Sequence, residues 1–264
     1  MHTLLSRPFA FVGVIHLLPL PAGPRASDGF EVVWARAMAD AQALAEGGAH
    51  AAILENFGDA PFPAAAVDPH VVAFAAMLAG EIRQRHAGMA VGVNLLRNDA
   101  RGAMGAAATA RAGFIRVNVH VGAMVTDQGL LQGDAHQTLR YRRELGADVA
   151  IVADVMVKHA APLAPRPLGA VAADTYRRGG AAVLVITGEG TGKAADPAHA
   201  DEIRTAVPEA PIWVGSGVDA GSARTWRDRV QGAIVGTALH EGGDVRRPLE
   251  RARVRAMAGL LIGG

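Results

Sequence analysis

The sequence predicts a closed barrel of eight parallel strands, each followed by a helix, and three observations carry that expectation. Eight short apolar runs rich in Val or Ile recur along the 264 residues; at four to six residues each they are too short for typical helices. The stretches between them carry helix starts and stops, so every connection is long enough to be a crossover between parallel neighbours. The length matches the ~250 residues usual for such a barrel, and no G-x-G-x-x-G follows the first run, which disfavours an open dinucleotide-binding sheet. The expected class is α/β, a (β/α)8 TIM barrel forming one domain over residues 1–264, with no linker or composition break.

The runs are FVGVIH (11–16), AAILEN (51–56), AVGVNL (90–95), FIRVNV (114–119), VAIVAD (149–154), AVLVIT (182–187), PIWVGS (211–216) and GAIVGT (232–237). After the first, Asp28 stands three residues before Glu31, a capping-box spacing, and the helical stretch closes on Gly47 and Gly48. Asp68-Pro69 and Asp196-Pro197 each set a cap residue before a proline at the first helical position. Asp99 caps a helix running through about Arg111. Weaker helical patterns cover 135–145, 168–178, 220–229 and 248–261.

Composition excludes several classes. Twenty-six basic against twenty-five acidic residues give a net charge of +1, so no overall field draws nucleic acid or an anionic membrane. With no cysteine, disulfides, Cys zinc sites and thiol catalysis are ruled out. Arg7 followed by PFAFVGVIHLLPL has the outline of a signal peptide, but His16, Pro19 and Pro21 interrupt it, and a buried first strand explains the run better. No apolar run reaches the ~18 residues of a membrane span, and a cytoplasmic protein is expected. Ala-rich helix faces that could pack between subunits point to a homo-oligomer.

In a parallel barrel the loops at the C-terminal ends of the strands build the active site. Polar residues collect at that end of these runs: His16; Glu55 and Asn56; Asn94, then Arg97, Asn98 and Asp99; Arg116, Asn118 and His120; Asp154, with Lys158 and His159 just beyond; and Thr187. The stretch FIRVNVHVGA shows why. Its odd positions Ile115, Val117 and Val119 pack under helices, so Arg116, Asn118 and His120 turn inward. Arg116, the deepest, is expected to pair with an acidic strand-end residue, and His120, at the rim, to touch substrate. Asp99 has its helix cap as an equal alternative role.

Glu55 and Asp154 are the candidate acid and base, because desolvation at a barrel mouth raises a carboxylate pKa towards neutrality. His120 is a candidate partner in proton transfer, Arg116 or Arg97 a stabiliser of developing negative charge, and Lys158 a Schiff-base former. A divalent metal on Glu55, Asp154 and a His is open, without a compact motif to support it, and no organic cofactor is indicated. Glycines at the last strand ends (Gly188, Gly190, Gly192; Gly215, Ser216, Gly217; Gly236, Thr237) let backbone N–H groups approach an anion, where such barrels often hold phosphate.

The segments GVIHLLPLPAGP (13–24), LENFGDAPF (54–62), GVNLLRND (92–99), FIRVNVHVGAMVTDQGLLQG (114–133), LRYRRELGADVAIVADVMVKHAAPL (139–163), VITGEGTGK (185–193) and VGSGVD (214–219) resemble the BtpA family, which includes proteins called SgcQ, over nearly the whole chain. The resemblance implies a phosphate-binding-type TIM barrel. It points either to a nucleosidase-like or related enzyme on a phosphorylated sugar, nucleoside or similar metabolite, or to a noncatalytic photosystem I biogenesis factor. Cleavage or transfer at a sugar anomeric carbon is favoured slightly over aldolase or isomerase chemistry. Family members tend to carry a Lys after the last strand, where this chain has His240; Arg246 or Arg247 is the expected substitute for its charge.

Overall fold

The computed structural model describes residues 2–157, 160–188 and 194–263. Lys158, His159, Gly190 and Gly192 therefore lie outside the described residues. The barrel strands are β1 (Ala10–His16), β2 (Ala51–Glu55), β3 (Ala90–Asn94), β4 (Phe114–Val117), β5 (Ala150–Asp154), β6 (Val183–Ile186), β7 (Ile212–Val214) and β8 (Gly232–Val235). Each pairs in parallel with the next, and β8 closes onto β1 with Ala10 opposite Gly232 and Gly13 opposite Val235. This is the expected (β/α)8 barrel.

The crossover helices are α1 (Phe30–Gly47), α2 (Pro69–Arg85), α3 (Ala100–Ala110), α4 (Ala135–Glu144), α5 (Leu168–Ala173), α6 (Pro197–Ala206), α7 (Ala223–Arg227) and α8 (Arg251–Leu261). Asp99 and Asp196 cap their helices, accepting from the N–H groups of Gly102 and Ala198. The capping box at Asp28 does not form. Gly29 is the cap residue of α1, and the Asp28 carboxylate accepts from the Ser27 hydroxyl instead. Gly48 ends α1 in the left-handed conformation at φ 93°, as a closing glycine should. The helix from Leu168 continues through Arg178 as a π-helical turn.

Strand parity divides the core. One set of side chains packs outward beneath the helices, among them Ile15, Leu54, Val93, Ile115, Ile151 and Val235. The other fills the barrel: Val12, Val14, Ile53, Phe114, Val152, Val183, Val185, Trp213 and Ile234, with Leu4 of a short N-terminal helix (His2–Leu5) in the same cluster. Phe114 and Trp213 meet edge to face at 6.4 Å and 89°. Rings that large fit because glycine faces them: a Cβ at Gly92 would lie 2.3 Å from the Phe114 ring.

Two further features depart from the sequence reading. The fourth strand ends at Val117 rather than Val119, and its continuation leaves the barrel ladder. The segments after β4 and β5 form a three-stranded antiparallel sheet of Ala123–Thr126, Gly129–Gln132 and Ala160–Pro162. Three- and four-residue strands joined by a two-residue turn carry too little periodicity to register as strands.

Gly92→Ala is expected to destabilise the protein by about 1–3 kcal/mol through overpacking against Phe114, with an unchanged denaturant slope in urea unfolding.

Candidate active site

On β1 to β5 the inward parity changes chemistry at the C-terminal end of the barrel. Above the apolar filling sits a layer made of His16 from β1, Glu55 from β2, Asn94 from β3, Arg116 from β4, Asn118 just past it, and Asp154 from β5. All six are buried.

Arg116 organises this layer. Its guanidinium grips Asp154 with two bonds, Nε to Oδ1 and Nη2 to Oδ2, both 3.0 Å, while Nη1 lies 3.8 Å from Oε1 of Glu55. Asn118 donates to Oδ2 of Asp154 at 3.0 Å, so that carboxylate receives three donors. Burial by itself would lower the Arg116 pKa, but the charges of Asp154 and Glu55 outweigh it and hold the group above its ordinary value. Glu55 accepts from Asn94 at 2.7 Å through Oε1, and its Oε2 faces Nε2 of His16 at 3.8 Å. His16 meets Nε2 of the fully buried His240 through its own Nδ1 at 2.9 Å. The edge of Phe57 packs on the His16 ring at 4.8 Å.

The strand-end glycines leave clearance here. A Cβ at Gly236 would stand 2.6 Å from Cε1 of His16, and one at Gly215 would meet Val185 Cγ1 at 2.5 Å and stand 3.3 Å from Nη2 of Arg116. Gly217 takes the left-handed conformation, at φ 68°. Ser216 accepts the N–H of Gly188 at 2.6 Å, tying the sixth loop to the seventh, and Thr237 opens a 3-10 turn. Arg97 is buried within electrostatic reach of Asp154, Asp127 and Glu55; desolvation lowers its pKa, and those carboxylates oppose the shift.

Other candidate residues serve the loops. Asn56 accepts from the Leu96 N–H at 2.7 Å and donates to the Leu96 carbonyl at 3.5 Å. Asn98 does the same with Val119, at 2.8 and 2.9 Å. Each amide imitates a strand residue and carries the ladder one step above the barrel. Asp99 divides its carboxylate between its helix cap and the N–H of Val67 at 3.0 Å. Thr187 donates to the Met156 carbonyl. His120 donates from Nε2 to the Gly179 carbonyl at 2.8 Å, next to the π-helical turn, and is bonded to none of the residues around Arg116. Its Nδ1 is buried with no partner among the described residues, and burial lowers its pKa.

His240 was not among the expected site residues. It lies 224 positions from His16, and no local pattern announces the contact. Among the described residues no group of three or more His, Asp or Glu side chains is arranged to hold a metal ion.

A closed parallel barrel with a buried, charged layer at the C-terminal mouth defines a (β/α)8 protein of the kind that serves as an enzyme scaffold. The chain belongs to the BtpA family, matching it over residues 8–261. It is 41% identical over 253 residues to "Photosystem I biogenesis protein BtpA" of Synechocystis sp., covering 96% of this chain and 88% of that one. Solved structures share the fold at low identity. A structure titled "Native KDPGal structure" has a TM-score of 0.58 at 13% identity, covering 97% of this chain and 94% of that one. Phosphoribosyl anthranilate isomerase from Thermus thermophilus has a TM-score of 0.55 at 12% identity, covering 96% and 98%.

Asp154→Ala strands Arg116 as a buried charge and is expected to cost about 3–5 kcal/mol in urea unfolding at pH 7. A second expectation concerns pH. His120 has a folded pKa below its ordinary 6.5, so the unfolded chain binds the extra proton first. Its contribution is complete above pH 6.5 and is lost as pH falls from there towards the lowered value. His120→Gln, which keeps a donor for Gly179, is expected to flatten the stability-against-pH curve in that window.

Proposed function

We propose that this chain is an enzyme acting on a small phosphorylated metabolite, of the sugar-phosphate or nucleoside-phosphate class. One observation carries the reading: Glu55, Asp154, Arg116 and His16 are all buried at the barrel mouth, where a fold needs no charge. Burying ions costs several kcal/mol each before pairing, and an apolar layer of the same volume would serve stability at least as well. A noncatalytic assembly role, which the name of the Synechocystis relative suggests, gives that layer no task.

Within the layer the roles differ. Asp154, bound by two Arg116 donors and by Asn118, acts as a fixed anion that orients the guanidinium. Glu55, facing His16, is the group that moves a proton, with His16 as its exchange partner. Arg116 and the neighbouring Arg97 stabilise negative charge that develops on substrate. Glycoside cleavage by two carboxylates needs a second free acid. With Asp154 engaged, the geometry supports proton transfer of the isomerase or aldolase kind better than cleavage at an anomeric carbon. The phosphate is assigned to the loops of Gly215–Gly217 and Gly236–Thr237, the place where such barrels often bind it. A fold neighbour named for a phosphoribosyl compound supports that choice.

The test is a thermal-shift screen against sugar phosphates, nucleoside phosphates, their unphosphorylated counterparts and inorganic phosphate. At 100 times Kd a ligand stabilises by about 2.7 kcal/mol, a rise of about 5–10 °C in Tm for a chain of this size. Only the phosphorylated compounds are expected to reach it. Glu55→Gln is expected to keep the shift and lose turnover of whichever compound binds. A folded protein that responds to none of them overturns the reading.

A further inference from the structure

Behind His16 runs a chain of buried polar contacts leading away from the mouth. His240 Nδ1 lies 2.6 Å from the carbonyl oxygen of Arg247. A carbonyl only accepts, so His240 carries its hydrogen on Nδ1 and offers a lone pair at Nε2 while the ring is neutral. Nε2 of His240 is 2.9 Å from Nδ1 of His16, and that contact is a hydrogen bond only if His16 donates. His16 then keeps a hydrogen on Nδ1 and turns Nε2 towards Glu55, at 3.8 Å.

The far end of this chain is anchored. Arg36 of α1 donates to the carbonyls of Arg246 and Arg247, and its Nε bonds Asp40 at 2.9 Å. The other oxygen of Asp40, itself fully buried, accepts the N–H of Leu249 at 2.8 Å. His240 also bridges to Leu249 as an isolated β-pair. The Arg247 carbonyl that orients His240 is thus held by the helix that packs beside α8.

We propose that His240 is a positioning residue, fixing the ring of His16 so that the proton His16 exchanges is always the one on Nε2, facing Glu55. This rests on the reading of Glu55 and His16 as the proton-transfer pair. Besides His16 from β1, Asp40 and Arg36 from α1 and Asp244 from the loop before α8 face His240; burial, helped by Arg36, lowers its pKa against the pull of the two carboxylates. The arrangement gives proton flow a direction. Protonated His16 carries a hydrogen on each nitrogen and releases the one on Nε2, leaving its electron pair there. It cannot pass a proton outward through His240, because that path ends on a carbonyl with no proton to exchange.

The experiment is long-range nitrogen–proton NMR of the full chain labelled with 15N-histidine, titrated across pH without ligand, with the His16 signals assigned by their absence from His16→Gln. Throughout the titration His16 is expected to keep Nδ1 protonated and to lose its proton from Nε2. His240→Gln offers an amide oxygen near the position of Nε2 and is expected to preserve that pattern. His240→Leu removes the acceptor and is expected to move the hydrogen of neutral His16 to Nε2.

Deprotonation of His16 at Nδ1 in the unaltered protein, or averaging between its two neutral forms, overturns the proposal. So does a His240→Leu variant in which His16 is unchanged. If that variant does not fold, the unaltered protein and His240→Gln decide the question. The readout needs neither substrate nor turnover. A protein with His16 locked that binds no phosphorylated compound defeats the proposed function and leaves this arrangement standing, and averaging in a protein that does bind one does the reverse.

Discussion

The upper half of this barrel depends on one ion pair. Arg116 is 3% exposed, and its charge is tolerable there only because Asp154, on the neighbouring strand, meets it with both oxygens. The pairing sets the rest of the layer. Asn118 is drawn to the remaining capacity of Asp154, and the third guanidinium nitrogen is left facing Glu55. Glu55 in turn takes Asn94 on one oxygen and His16 on the other side. Breaking the pair would leave a buried cation whose nearest remaining counter-charge is Glu55, so the same contact governs both stability and the electrostatics of the mouth.

Much of this was legible because strand parity is a hard constraint. Once β4 is a strand with both faces covered, Ile115 and Val117 must go one way and Arg116 the other, and a buried Arg must find a carboxylate. The one residue of the layer's surroundings that sequence reasoning missed is His240, and where the partners of an expected residue differ from the expectation the causes are definable. Asn56 and Asn98 stand where substrate contacts are expected, yet an amide can also bridge a neighbouring backbone, and composition does not distinguish the two uses. The expectation for His120 continues the alternation of β4 three residues beyond its last ladder pair, Val117 with Ala153. The chain turns out of the barrel there, and parity stops applying. The capping box at Asp28 failed because Gly29 took the cap position, which a three-residue spacing rule does not anticipate.

The glycines at the strand ends show a subtler ambiguity. The sequence expectation is that Gly215 and Gly236 leave backbone open to an anion, but a Cβ at Gly236 would crowd His16 and one at Gly215 would crowd Val185 and then Arg116. Both uses require the missing side chain, but the N–H of Gly215 is already bonded to the Ile186 carbonyl at 2.8 Å, so at that position the clearance is the visible use. A glycine at such a position is therefore weak evidence for phosphate by itself. Of the buried cations, Arg116 stands beside the first of these loops, its Nη2 3.3 Å from where a Cβ of Gly215 would lie.

Closure of the barrel and construction of the site share the same residues. The last strand must return to β1, and the segment after it must reach α1 to cover the seam. Asp40 and Arg36 fasten that segment by its backbone, and His240, between the fastened loop and β1, bonds His16 on its other side. A lysine at this place would put a cation beside His16 and oppose its protonation. The histidine instead presents Nε2 to His16 while its own Nδ1 is bonded to the Arg247 carbonyl. The contacts that seal the barrel thus also hold the ring that Nδ1 of His16 meets, while Nε2 of His16 lies towards Glu55.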